Sequence, residues 1–353
     1  MNREIRRPHM ITRTPEVRQA PLWQRQQAAA ITDPAQLIER LGLDRALLAA
    51  ACRAAEPFRL RVPEPYVSRM RPGDPDDPLL RQVLPLDVEC DDVAGFVDDP
   101  VADGEAMRAP GLLHKYPGRV LLVTTGACAV HCRYCFRRHF PYADANPARD
   151  AWDAALAYIS ERPDISEVIL SGGDPLSLSD GRLAALAGAL GEIPHLKRLR
   201  VHSRTPVVLP ERITDALLEW LRPGRFETIL VIHANHAREV DDALRQGMDR
   251  LRAAGVTLLN QSVLLRGVND RVEDLKALSE TLFQAGVLPY YLHQLDPVRG
   301  AAHFLVPDTR ALALHRQLAA SLPGYLVPRL VRELPGRESK TPLTESIPEC
   351  RKT

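Results

Sequence analysis

Lysine is scarce in this 353-residue chain: only Lys115, Lys197, Lys276, Lys340 and Lys352 occur, and arginine supplies nearly all the positive charge. Any chemistry that needs a primary amine therefore has few candidates. Aromatic residues make up 5% of the chain, and the net charge is +1. A base-stacking, phosphate-binding surface needs aromatics and a basic excess together, so nucleic acid is not expected as a partner. No apolar run is long enough to span a bilayer, so no membrane is expected. The basic start MNREIRRPHM has no apolar segment behind it and does not read as a secretory signal. Six cysteines, half of them in one tight group, do not make a disulfide framework. A reducing cytoplasm fits them.

That group is the stretch CAVHCRYCFRRHF, where Cys128, Cys132 and Cys135 are spaced by four and then three. It comes after Val120–Thr125, an apolar, β-branched run that reads as a strand. Three thiolates can hold three irons of a cubane cluster and leave the fourth iron open. The stretch resembles the signature of the radical S-adenosylmethionine superfamily. There the open iron takes the amino and carboxylate groups of that cofactor, and one electron releases a 5′-deoxyadenosyl radical. The alternatives are a zinc site or free thiols. Structural zinc usually takes four protein ligands, commonly two CxxC-type pairs. Here one triplet occurs, and Cys52, Cys90 and Cys350 are isolated.

Ahead of that motif the texture is irregular. Residues 1 to about 30 read as an arm with short helices. Asp33-Pro34 is a helix start, and Leu37, Leu41, Leu47 and Leu48 give an apolar face through about Cys52. Residues 57 to 111, rich in Pro, Asp and Gly, read as an irregular wrap that packs on the catalytic core or on a partner subunit. From Arg119 onward, strand-length apolar runs alternate with helix-period segments. The strands are Val120–Thr125, Glu167–Leu170, Arg198–His202, Thr228–His233, Thr257–Leu265 and Pro289–Gln294. A helix over Pro307–Ser321 and an extended segment over Tyr325–Leu334 come after them. Six strand–helix repeats predict an α/β fold, an open, partial (β/α)6 barrel. Right-handed crossovers put every strand C-terminus on one rim. Polar residues collect there: Ser171-Gly172-Gly173-Asp174, His202-Ser203-Arg204, His233 with Asn235 and His236, Asn260-Gln261, and His293-Gln294 with Asp296. The expected division is an N-terminal extension (1–113), a radical S-adenosylmethionine core (114–337) and a C-terminal tail (338–353).

The segments KYPGRVLL, CRYCFRRHFPY, LSGGDPL, SRTPVVLP, NQSVLLRGVND, HQLDPVRGAAHF and SKTPL together resemble the lysine 2,3-aminomutase family over nearly the full length. The likeness is greatest to the branch that makes (R)-β-lysine for modification of elongation factor P. The resemblance implies three cofactors: a [4Fe-4S] cluster, S-adenosylmethionine and pyridoxal 5′-phosphate. The radical takes hydrogen from the β-carbon of lysine, and nitrogen held as an imine migrates from the α to the β position. It implies Lys340 as the amine that holds pyridoxal phosphate, a role suited to a lysine. Arg119 and Lys115 are implied at the cofactor phosphate, and Arg137 at the substrate carboxylate, where a planar fork can donate two bonds. Asp296 and Glu333 are implied around the distal ammonium. Gly172, Gly173 and Asp174 would receive the methionyl amino group, with Ser203, Arg204, His233 and Gln261 as further candidates at that cofactor.

Three departures qualify the match. Glu333 stands where the free-lysine enzymes have Asp, a change of one methylene that is linked here to the product enantiomer. Gly336-Arg337-Glu338-Ser339 replaces a polyglycine run before Lys340. The C-terminal zinc cysteines are missing, Arg271 lying where one would be, so no zinc and no preserved free-lysine oligomer are expected. A homo-oligomer of another kind stays open. Implied partners are free L-lysine, a reductant such as flavodoxin or ferredoxin, and a functional link to elongation factor P and its lysyl ligase. The alternatives are an aminomutase for another amino acid, such as arginine or glutamate, a radical RNA-modifying enzyme, and a non-enzymatic metal-binding module. Two acids oppose a glutamate side chain.

Overall fold

Parallel strands buried on both faces read as near-continuous apolar runs, and this chain lays six of them side by side. The computed structural model describes residues 20–142 and 152–344. The expectations for residues 1–19, Cys350 and Lys352 lie outside them. A ten-stranded sheet runs in chain order from β1 to β10. Its centre is β3 (Arg119–Thr125), β4 (Glu167–Gly172), β5 (Arg198–Ser203), β6 (Glu227–Ile232), β7 (Thr257–Val263) and β8 (Leu288–His293), all parallel. Helices Asp180–Gly191, Asp215–Leu221, Asp242–Ala253 and Val272–Gln284 fill successive crossovers.

The sheet is larger than the expected six strands. β9 (Arg329–Arg332) adds a seventh parallel strand beside β8, and β10 (Thr341–Pro342) returns antiparallel to β9. The extended segment expected from Tyr325 is shorter, because Gly324–Leu326 is a 3-10 turn. At the other edge, β1 (Met107–Ala109) and β2 (Leu112–Tyr116) form an antiparallel pair that joins β3. The sheet curls without closing: side chains from β2 and from the end of β9 meet across the seam. The expected boundary at residue 113 falls inside β2.

Alternation along the strands separates two environments. On β5, Leu199 and Val201 point outward into the cluster that includes Val168, Leu170, Leu186, Leu230 and Leu258. Arg198, Arg200 and His202 point the other way, into the lumen. Each large aliphatic side chain buried outward contributes roughly 1.5–3 kcal/mol. The lumen is left for polar groups.

The N-terminal extension builds a core of its own from Trp23, Leu37, Leu60, Tyr66 and Leu80, and that core takes in Ala129 and Val130 of the cysteine loop. The apolar face expected to run from Asp33 to Cys52 is two helices. Asp33 caps the first through its Oδ1, which accepts from Ala35 N at 2.9 Å. Gly42, at φ +61°, ends it in the left-handed conformation after Leu41. The second helix starts at Leu48. No helix among the described residues is long and apolar enough to cross a membrane.

Candidate active site

The cysteine loop leaves the C-terminal end of β3 and is gripped from the extension. His131 N donates to Arg61 O and Arg133 N to Gln82 O, both at 2.9 Å. Arg133 is fully buried. It donates to Glu89 at 2.8 and 2.6 Å, and to the carbonyls of Phe58 and Ala54 at 2.7 and 3.0 Å. Arg138 reaches the same Glu89 carboxylate at 3.0 Å, and both guanidiniums lie over the Phe58 ring. One buried carboxylate therefore serves two arginines that flank Cys135.

On the barrel side, Arg204 Nη1 donates to Cys132 Sγ at 2.7 Å. Its other bonds go to Tyr134, Gln82, Glu239 and Tyr66. Burial, then Asp174 and the two neighbouring thiols, push the Cys128 thiol well above its usual range. Burial and Cys132 push Cys135 up to about 11. Such thiols stay protonated at neutral pH unless a metal takes the proton's place. Among the described residues no three His, Cys, Asp or Glu side chains are arranged around a single ion. A cubane gives each thiolate its own iron and asks for a wider triad than one shared ion does.

The Gly172-Gly173 turn lies directly under this loop. A Cβ on Gly172, at φ +122°, would stand 2.7 Å from Thr125 O, and one on Gly173 would stand 2.5 Å from Ala127 O. The backbone that these glycines admit is the chain's own, just ahead of Cys128. Asp174 accepts from Leu176 N, Ser203 Oγ, Arg204 N and Thr205 N at 2.6–3.0 Å, which ties the end of β4 to the end of β5. His233 sits 3.3 Å from Tyr134 Oη, and burial and Arg204 lower its pKa to about 3. Gln261 lies on the lumen face of β7; its neighbour Asn260 faces outward and bonds Ala234 through both N and O.

Deeper in the lumen an unbroken run of ion pairs begins at Arg137. Arg137 Nε donates to Asp103 Oδ2 at 2.6 Å, and Nη1 to Ser171 Oγ at 3.2 Å. Asp103 Oδ1 is 2.6 Å from Lys115 Nζ, which also reaches Glu333 Oε1 at 2.9 Å. Glu333 Oε2 accepts from Lys340 Nζ. Burial alone would raise Glu333, but Lys340 and Lys115 reverse that and hold it at about 2. Burial raises Asp296 to about 7, against the pull of Lys340, with Glu333 adding to the rise. His202 and His293 are lowered far below the usual imidazole range by burial, helped by Lys340, and are neutral.

Arg119 and Lys115, expected together at a phosphate, are engaged differently. Arg119 opens β3, six residues and roughly 20 Å of strand before Thr125. Its guanidinium lies 4.6 Å from the Tyr116 ring. Lys115 is held in the ion-pair run. Two residues at the site carried no sequence signal, Asp103 and Glu89; His202, read only as one of the rim's polar residues, has its Nε2 buried without a partner. Asp103 is one of several acids in an irregular stretch. Only its partner, 34 residues away, distinguishes it.

Comparison with known proteins gives the lineage. The Radical SAM superfamily matches residues 122–279. The L-lysine 2,3-aminomutase of Escherichia coli (strain K12) is 52% identical over 91% of this chain and 94% of its own length. That of Haemophilus influenzae is 46% identical over 94% and 98%, and that of Clostridium subterminale 39% identical over 81% and 69%. At that identity and coverage the chain belongs to the lysine 2,3-aminomutase family, a branch of the radical S-adenosylmethionine enzymes.

Proposed function

We propose that this isomerase converts L-α-lysine to (R)-β-lysine, and that the product is used to modify elongation factor P. The supporting observation is the ion-pair run from Arg137 to Lys340, which begins two residues after Cys135 and ends at a lysine amine beside Glu333. Thiols, amine and acids share one lumen, as a reaction on a single small amino acid requires. When bound, a cluster with S-adenosylmethionine supplies a carbon-centred radical, and pyridoxal phosphate supplies a carbonyl that takes up an amine.

The donor set suits these groups. Cys128, Cys132 and Cys135 hold the cluster. The strand ends at Gly172–Asp174, Ser203, Arg204, His233 and Gln261 face S-adenosylmethionine. Lys340 takes the pyridoxal group, and the orphaned Nε2 of His202 in the same lumen fits a polar cofactor. Arg119 answers its phosphate. Arg137 clamps the substrate carboxylate through its planar fork. Glu333 exchanges Lys340 for the distal ammonium of the substrate, and Asp296 is the second acid. The extension (1–113) brings Glu89 and Asp103 to the core (114–337), and the tail (338–353) brings Lys340. Free lysine is the substrate, a flavodoxin- or ferredoxin-type protein the reductant, and the cytoplasm the setting.

An anaerobic assay of reduced enzyme with lysine, arginine and glutamate, with chiral analysis of products, tests it. (R)-β-lysine as the main product is expected; turnover of another amino acid in preference would overturn it. In the same assay Glu333→Asp, shorter by about 1 Å, is expected to lower enantiomeric purity. An unchanged product would separate residue 333 from stereochemistry.

Asp296 gives the site a pH dependence. It must be ionised to hold an ammonium, and it titrates near 7. Lysine affinity is therefore expected to fall as pH drops through 7, by up to about tenfold per unit. This adds to the dependence of the substrate's own α-amine. Asp296→Asn should keep only the latter, so an unchanged slope between pH 8 and 6 in that variant would refute the role.

A further inference from the structure

Lys115 Nζ donates to Val101 O at 2.7 Å and to Glu333 Oε1 at 2.9 Å, and pairs electrostatically with Asp103 Oδ1 at 2.6 Å. Asp103 is 2% exposed and spans two cations, Lys115 on one oxygen and Arg137 on the other. Burial works to raise its carboxyl; Arg137 and Lys115 outweigh that and leave it below the usual range. With Nε on Asp103 and Nη1 on Ser171, the plane of the Arg137 guanidinium is fixed. Lys115 in turn fixes one oxygen of Glu333.

We propose that Asp103 and Lys115 are positioning residues that set the separation between the carboxylate clamp at Arg137 and the ammonium acceptor at Glu333, and so the length and charge pattern of the amino acid accepted. This rests on the roles given above to Arg137 and Glu333. The two ends of the substrate are then read by groups held on one rigid strut. Arg137 comes from the cysteine loop, Asp103 from the connection before β1, Lys115 from β2 and Glu333 from the end of β9. The strut crosses the barrel seam, where no backbone ladder sets the spacing. A buried charge pair contributes most when its partners are fixed and dry, and removing one member leaves the other uncompensated.

The test uses pyridoxal-loaded holoenzyme and reads ligand binding from the change in absorbance of the pyridoxal group, without turnover. The probes are L-lysine, cadaverine (no carboxylate) and L-norleucine (no distal ammonium). In the wild type lysine should bind tighter than either. Asp103→Asn is expected to weaken lysine and norleucine by about 30-fold and cadaverine by less than about threefold. Lys115→Met is expected to weaken lysine and cadaverine and spare norleucine, and it serves as the second arm should Asp103→Asn disturb folding. Equal weakening of all three ligands by both variants would mean a purely structural role and overturn the proposal, as would no change in either. A wild type without preference for lysine would defeat the underlying roles of Arg137 and Glu333 first, and is seen before any variant is made.

Discussion

Replacing Lys340 by alanine is expected to strip the purified protein of its tightly held pyridoxal absorbance and to lower turnover by about a thousandfold or more, while leaving iron bound. The resemblance places this lysine at the cofactor, and its surroundings in the lumen suit that role. Among the described lysines, Lys115 is held by two acceptors and by its ion pair with Asp103. Lys197 precedes β5 at the far rim, and Lys276 lies on an outer helix. Lys340 alone meets the lumen acids with one bonded acceptor, Glu333, that an arriving ammonium can take over. In the variant Glu333 loses a cation and keeps Lys115, so its carboxyl should rise from its present value of about 2. Absorbance and iron measured on the same preparation decide the matter. Pyridoxal retained in Lys340→Ala and lost in Lys115→Met would show that the amine belongs to Lys115 instead.

Glu89→Ala is expected to cost roughly 3–5 kcal/mol and to empty the cluster site, although Glu89 touches no cysteine. Its carboxylate is the counter-charge of two arginines, Arg133 with no exposed surface and Arg138 with almost none. Removing it leaves both cations buried and unpaired on either side of Cys135. The loop must then open to hydrate them, and its bonds to Arg61 O and Gln82 O go with it. Thermal unfolding and iron content together test this. A variant with wild-type melting and full iron would show that the loop keeps its shape without the extension's acid.

Much of the barrel was legible because buried parallel strands are apolar without interruption, as in Val168–Leu170 or Leu230–Ile232. β9 was less so: Arg329 and Arg332 bracket only two apolar residues, and the strand is recognised by its neighbour β8 rather than by pattern. The break at Gly42 comes from its left-handed backbone, which a lone glycine in an apolar face does not announce. The cysteines stood out through their spacing, and Lys340 through the family resemblance, helped by the scarcity of lysine. Asp103 did not, because Asp98, Asp99 and Glu105 beside it are equally acidic and only long-range packing selects one. The KYPGR stretch reads differently once folded. Lys115 and Arg119 are close in sequence, but an antiparallel turn sends them to different partners.

The two-residue ladder between β10 and β9 has a consequence for how the enzyme matures. A ribosome releases Glu89 and Asp103 first, the three thiols of the cysteine loop next, and Lys340 after every strand of the sheet but β10. The Lys340 amine meets Glu333 only once β9 has docked on β8. On the role proposed for Lys340, loading with pyridoxal phosphate would follow the docking of β9 and would mark chains whose barrel is already in place.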